Sequence, residues 1–138
     1  KITFIMSFKK LIQFVFMLIF LLSVQHSVLA QSFQSKVSSS FSNGNFKELS
    51  KSFDKRVQLT ISNRSEYYSN TQAEIILTDY LNQLGSKNFT VIRSGTAEAG
   101  SAEFVIGEVK SITKGIVKVY IYARKVADTT YIQEIRFE

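Results

Sequence analysis

The chain has 138 residues, a formal charge of +6, one histidine, and no cysteine, tryptophan or proline. Without cysteine there is no disulfide framework, no lipid-attachment thiol and no thiol catalysis. The one histidine, His26, falls in a segment that reads as an export signal, so the rest of the chain also lacks the commonest general base and metal ligand.

Near the N-terminus, Lys9 and Lys10 precede the apolar run Leu11–Val24, which is interrupted only by Gln13 and Ser23, and Val28-Leu29-Ala30 precedes Gln31. A basic region, a short apolar core and small residues of the A-x-A type spell a secretory signal peptide over 1–30, starting at Met6 and cut between Ala30 and Gln31. The core is shorter than the about 20 residues of a spanning helix. Membrane contact is therefore expected only through this signal before cleavage, and the product is expected to be periplasmic or secreted. Cleavage removes Lys1, Lys9 and Lys10 and takes the formal charge from +6 to +3. That weakens the electrostatic case for nucleic acid, and no such partner is expected. Residues 31–138 suffice for a single domain with one core.

In that part, Phe33, Val37 and Phe41 recur four apart among serines and predict a helix ended by Asn43-Gly44. Phe46, Leu49, Ser50 and Phe53 predict a second helix with Lys47, Lys51 and Lys55 outward. Val57–Ile61 alternates as a half-buried strand, Asn63-Arg64-Ser65 turns, and Glu66-Tyr67-Tyr68 returns as a short strand. Tyr67–Leu84 contains the strongest helix. Ala73, Ile76, Leu77, Tyr80, Leu81 and Leu84 share one face, Ser69 with Gln72 or Thr71 with Glu74 offers a capping box, and Gly85 fits a left-handed cap. A stripe that wide requires a sheet or other helices to cover it.

After it the period changes to two. Phe89–Arg93 is a strand, Gly95–Gly100 a hairpin loop, and Ala102–Ile112 a long strand. Its inward set reads Ala102, Phe104, Ile106 and resumes at Val109, which predicts a bulge at Gly107. Lys114-Gly115 turns into Ile116–Lys125, and Asp128-Thr129-Thr130 turns into Tyr131–Phe137. The fold class is α+β: a strongly bent antiparallel sheet of about six strands around a central helix, with two N-terminal helices and a cavity at the wide end.

This order of elements is similar to the nuclear transport factor 2-like superfamily, the cone shared with ketosteroid isomerase. More closely, the chain resembles a family of small exported bacterial proteins of unknown function within it. The resemblance rests on Gly44-Asn45 before Phe53, on Tyr68-Ser69 with Gln72-Ala73-Glu74, and on Ser94-Gly95. It continues through Gly100-Ser101, Ile106-Gly107, Val119-Tyr120-Ile121 and Glu134–Glu138. It implies a fold and an exported location but carries no activity.

Among the resembled isomerases a carboxylate on the strand after the second helix abstracts a proton, and a tyrosine on an early helix helps to hold the oxyanion. Here Val57–Ile61 contains no acid and all six tyrosines lie at or after Tyr67. Asp54, Asp79 and Glu108 are the remaining candidate bases, with Tyr80 as a donor. Asp79 is expected to point to solvent, and Asp54 to end a helix. Gly95 and Gly100 precede no helix and make no phosphate loop, and Glu98 and Glu103 lack calcium-loop spacing. No catalytic residue, metal or cofactor is therefore assigned.

The expected function is that of a non-catalytic exported module that binds a small apolar ligand or a protein partner; the alternative is a minimal isomerase- or dehydratase-type enzyme. Tyr80, Asp54 and Phe104 are the candidate ligand-pocket residues. Lys118, Tyr120, Tyr122 and Arg124, opposite the apolar set Val117, Val119, Ile121 and Ala123, are the candidate interface for a homodimer.

Overall fold

The computed structural model describes residues 32–85 and 88–138. The segment 1–30 expected to be a signal peptide, with the expected cleavage site between Ala30 and Gln31, lies outside the described residues. Helix α1 spans Phe33–Asn43 and a single turn, α2, spans Lys47–Ser50; the strands β1 (Phe53–Ile61) and β2 (Arg64–Tyr68) lead to the long helix α3 (Asn70–Leu84). Strands β3 (Phe89–Ala97), β4 (Ala102–Ser111), β5 (Gly115–Val126) and β6 (Thr129–Phe137) complete a six-stranded sheet of order β2-β1-β6-β5-β4-β3. All neighbours are antiparallel except β1 and β6, which are parallel and bring the end of the chain beside its first strand.

The helix ends follow from local chemistry. Gly44, at φ 63°, stops α1, and the Asn45 N–H returns to the Ser40 carbonyl at 3.0 Å. Ser69 caps α3 with a complete capping box to Gln72, so that the alternative pair Thr71 and Glu74 is not used, and Gly85 closes the helix at φ 65°. Tyr67 and Tyr68 do not join this helix. They pair with Gln58 and Val57 in β2, where aromatic side chains suit a pleated surface.

The second helix is shorter than its spacing suggests. Phe53 opens β1 instead, because the Ile132 N–H takes the Ser52 carbonyl at 2.7 Å and draws the chain into the sheet. The buried Ser50 hydroxyl lies 2.9 Å from Glu74 Oε2 and so ties α2 to α3.

The core lies between the helices and one face of the bent sheet. Val37 and Phe41 of α1, Leu49 of α2, and Ala73, Leu77, Leu81 and Leu84 of α3 meet Val57, Leu59, Val105, Val109, Val119, Ile121, Ile132 and Ile135, all of them buried. Phe41 is the hub: its ring stacks on Phe89 at 4.7 Å and meets Phe46 edge-on at 5.0 Å.

Strand β4 corrects the predicted parity. Its pairing with β5 is regular from Ala102↔Arg124 to Ser111↔Gly115, so no bulge occurs at Gly107. The buried set is Val105, Gly107 and Val109, which leaves Ala102, Phe104 and Ile106 on the opposite face. The irregularity lies across the strand, between Val91 and Arg93 of β3. Gly107 accommodates the Phe89 ring, and a Cβ there would also stand 2.9 Å from the Thr90 carbonyl.

Candidate functional site

Five segments converge at the end of the sheet beside α3. The hairpin turn Ser62-Asn63, with φ of 51° and 63°, joins β1 to β2 as a two-residue turn of positive φ. Tyr80 comes from α3, Lys114 from the β4–β5 turn, Ile116 and Val117 from the start of β5, and Phe137 with Glu138 from the end of β6. They surround a cavity of about 460 Å³ that opens to solvent, a size within the about 300–1,000 Å³ of small-molecule sites. The Tyr80 and Phe137 rings meet edge-on at 4.8 Å, and both are buried, as is Val117. Tyr80 therefore forms part of an apolar floor. Among the described residues its hydroxyl has no hydrogen-bond partner.

Lys114 is placed there by the turn. Ser111 Oγ donates to the Leu84 carbonyl at the end of α3 (2.9 Å) and accepts from the N–H groups of Thr113 and Lys114. The Ile112 N–H also donates to the Leu84 carbonyl, at 3.1 Å. The turn is thus tied to the helix, and Lys114 Nζ stands 5.2 Å from the centre of the Tyr80 ring. Glu138 lines the same mouth, but its Oε1 lies 3.1 Å from Arg136 Nε, on the side of the sheet away from the core.

The three sequence-predicted pocket residues do not share a cavity. Asp54 stands on the face opposite the core. Arg124 Nε donates to its Oδ2 at 2.8 Å, and the Lys55 N–H donates to Oδ1. The Arg124 hydrogen bond first, then that backbone donor, hold the carboxyl well below its ordinary range, at about 2. Phe104 lies on the same outer face, next to Tyr122 in register. It borders a second cavity of about 600 Å³ with Ala97, Ala102, Tyr122, Arg124 and Gln133. Of the other carboxylates, Asp79 is exposed, as expected, and Glu108 pairs in register with Lys118 on the outer face. Among the described residues no group of His, Cys, Asp or Glu is arranged to hold a metal ion.

Lys118, Tyr120, Tyr122 and Arg124 do come together on one face of β5. Two rows cross the sheet there: Phe104, Tyr122, Glu134, Gln58 and Tyr67, and beside it Ile106, Tyr120, Arg136, Thr60 and Ser65. Arginines lie over the aromatic rings of this surface: Arg136 over Tyr120 at 4.7 Å, Arg124 over Tyr131 at 5.2 Å, Arg56 over Tyr67 at 5.6 Å and Arg93 over Phe104 at 5.8 Å.

The profile of the domain of unknown function DUF4783 matches residues 34–138, nearly the whole of the described chain. The chain belongs to the DUF4783 family. Solved DUF4783 proteins have the same architecture. One from Bacteroides ovatus is 25% identical with a TM-score of 0.69, over 78% of this chain and 94% of its own. Another, from Bacteroides uniformis, is 28% identical with a TM-score of 0.67, over 78% and 96%. A proposed ketosteroid isomerase from Shewanella frigidimarina, 15% identical with a TM-score of 0.57 over 75% of this chain and 89% of its own, shares the fold alone. No curated protein is significantly similar in sequence. The chain thus shares the nuclear transport factor 2-like fold, and DUF4783 membership leaves its activity open.

Sequence reasoning did not single out Lys114, Ile116, Ser62 or Asn63 as site residues. Lys114 and Asn63 were legible only as turn formers. The usable signal was Ile112 and Ile116 flanking a lysine in a turn: both isoleucines are exposed, at 82% and 60%.

Proposed function

We propose that this DUF4783 chain is an exported, non-catalytic binding module that takes a small apolar ligand in the mouth beside Tyr80. The observation that carries the reading is the floor of that mouth, where Tyr80, Val117 and Phe137 present aromatic and aliphatic surface to an open cavity of about 460 Å³. Apolar walls with a few convergent polar groups are the usual character of a small-molecule site. An isomerase- or dehydratase-type reaction would need a carboxylate facing that floor with a donor opposite. Tyr80 could donate, but Asp54 is held by Arg124 on the other face and Glu108 shares that face with Lys118. The carboxylate of Glu138, the remaining acid of the mouth, leans toward Arg136.

Export enters this reading from the signal-like 1–30 segment. Among the described residues no helix is long and apolar enough to cross a membrane. Native mass spectrometry of protein purified from an exporting host tests ligand and address together. The expected spectrum shows a chain beginning at Gln31 with a retained apolar mass that organic extraction removes. A chain still carrying Leu11–Val24 would end the export reading. A bare protein that also fails to take up added decanol would end the ligand reading.

A second copy of the chain is the partner that the outer face favours. Its aromatic rings lie under arginines, while Asp54, Glu108 and Glu134 are interleaved with Arg124, Lys118 and Arg136. A two-fold contact sets such a surface against itself, and near-balanced charge lets acids of one copy meet bases of the other.

A further inference from the structure

We infer that the ligand of the mouth is an amphiphile with an anionic head, and that Lys114 is the residue that selects the charge. This rests on the reading that the mouth takes an apolar ligand, and it adds the chemistry of the head group.

The argument begins with the arrangement of polarity. The floor is apolar, formed by Tyr80, Val117 and Phe137, and the rim carries Ile116, which is 60% exposed. Among the described residues Lys114 is the one cation lining the cavity. Among the described residues no carboxylate lies within ion-pair distance of its ammonium; the four ion pairs engage Lys51, Arg124, Lys125 and Arg136 instead. Its side-chain partner among the described residues is the face of the Tyr80 ring, at 5.2 Å. An ammonium over an aromatic face retains its donors for an anion, and three donors on a flexible stem can follow a head group.

The position is not free to wander at its base. Ser111 Oγ accepts the Lys114 N–H at 3.1 Å while donating to the Leu84 carbonyl, so the turn is fixed to the end of α3. The stem is thereby rooted at the edge of the cavity. Two further residues of the lining carry hydrogen-bond donors: Tyr80, whose hydroxyl has no partner among the described residues, and Asn63. Glu138, the one acid of the lining among the described residues, would repel an anion if its side chain faced inward. Its carboxylate lies instead by Arg136, with Oε1 3.1 Å from Nε. A ligand that fits has a short apolar body against Tyr80, Val117 and Phe137 and a carboxylate or similar anion at the opening under Lys114.

Decanoate and decanol separate the two parts of the proposal, since they share an apolar body and differ in head charge at neutral pH. Titrations of both into the purified protein, by calorimetry or native mass spectrometry, are compared for wild type, Lys114→Met, Lys114→Arg and, as a control on the outer face, Lys118→Met. Wild type is expected to bind decanoate more tightly than decanol. Lys114→Met is expected to lose about fivefold in decanoate affinity, the scale of a partly exposed charge contact, with decanol little changed. Lys114→Arg restores the preference and Lys118→Met leaves it intact. Equal binding of decanoate and decanol, unaffected by Lys114→Met, overturns the anionic head group while the apolar-ligand reading stands. Binding of neither compound overturns both. An equal loss for Lys118→Met overturns the role of Lys114, since the effect would then be one of net charge. Lys114 is exposed and in a turn, and circular dichroism of each variant confirms that the fold is retained.

Discussion

Tyr80 and Asp54 show how differently two polar side chains can be used. Tyr80 is 8% exposed, with its ring against Phe137, and lines the mouth. Removing a buried aromatic leaves a cavity, so Tyr80→Ala is expected to lower stability by about 3–5 kcal/mol in urea unfolding. Tyr80→Phe, which keeps the ring, is expected to remain within about 1 kcal/mol. A Tyr80→Ala variant that melts like wild type but no longer takes up decanol would make Tyr80 a ligand contact rather than a core residue. Asp54 acts through charge. Its carboxyl is held at about 2, against an ordinary value of 3.8, chiefly by the Arg124 hydrogen bond. The folded pKa is depressed, so the folded state resists protonation more than the unfolded state does. This contribution to stability is complete above about pH 4 and is lost as pH falls toward 2. Arg124 is half exposed, and the pair is expected to contribute no more than about 1 kcal/mol at neutral pH. Asp54→Asn should remove that part of the acid dependence, lowering stability at neutral pH and changing it little at pH 2 and below.

Single elements carry different amounts of their own specification. Helices α1 and α3 could be read because the apolar spacing, the cap and the left-handed glycine all lie within a few residues of one another. Strand β5 could be read because its two faces differ in composition: Val117, Val119, Ile121 and Ala123 are buried while Lys118, Tyr122 and Arg124 are exposed. Strand β4 could not. Ala102, Phe104 and Ile106 are as apolar as Val105, Gly107 and Val109, so alternation alone does not choose a face. The choice is made by Phe89, whose ring occupies the space over Gly107. Gly107→Ala is therefore expected to destabilise by about 1–3 kcal/mol or more, since the Thr90 carbonyl beneath cannot move away. Combined with Phe89→Ala, the cost should be clearly less than the sum of the two, because the second change removes part of the clash. Additivity in that cycle would show that the ring is not what reserves the space.

For the molecule as a whole, the outer face sets the state of association. The arginine stems that cover Tyr120, Tyr131, Tyr67 and Phe104 would suit either state. The interleaved acids make pairing electrostatically affordable, and Tyr and Arg are the residues enriched at interface centres. Wild type is accordingly expected to sediment as a dimer at high micromolar concentration, and Tyr120→Glu/Tyr122→Glu as a monomer. If both run as the same monomer, the face is simply hydrated.

By itself the sequence determined the class of structure, because periodicity, caps and turns are properties of neighbouring residues. The absence of cysteine, and the confinement of histidine to position 26, were equally final. Tertiary structure alone decided which groups meet. Asp54 finds Arg124 seventy positions away. Lys114 stands over Tyr80 because Ser111 reaches the end of α3. Phe104 faces outward because Phe89 fills the space over Gly107 on the next strand. Each is a contact between distant parts of the chain, set by how the sheet bends and which strands become neighbours, and no local pattern of residues encodes it.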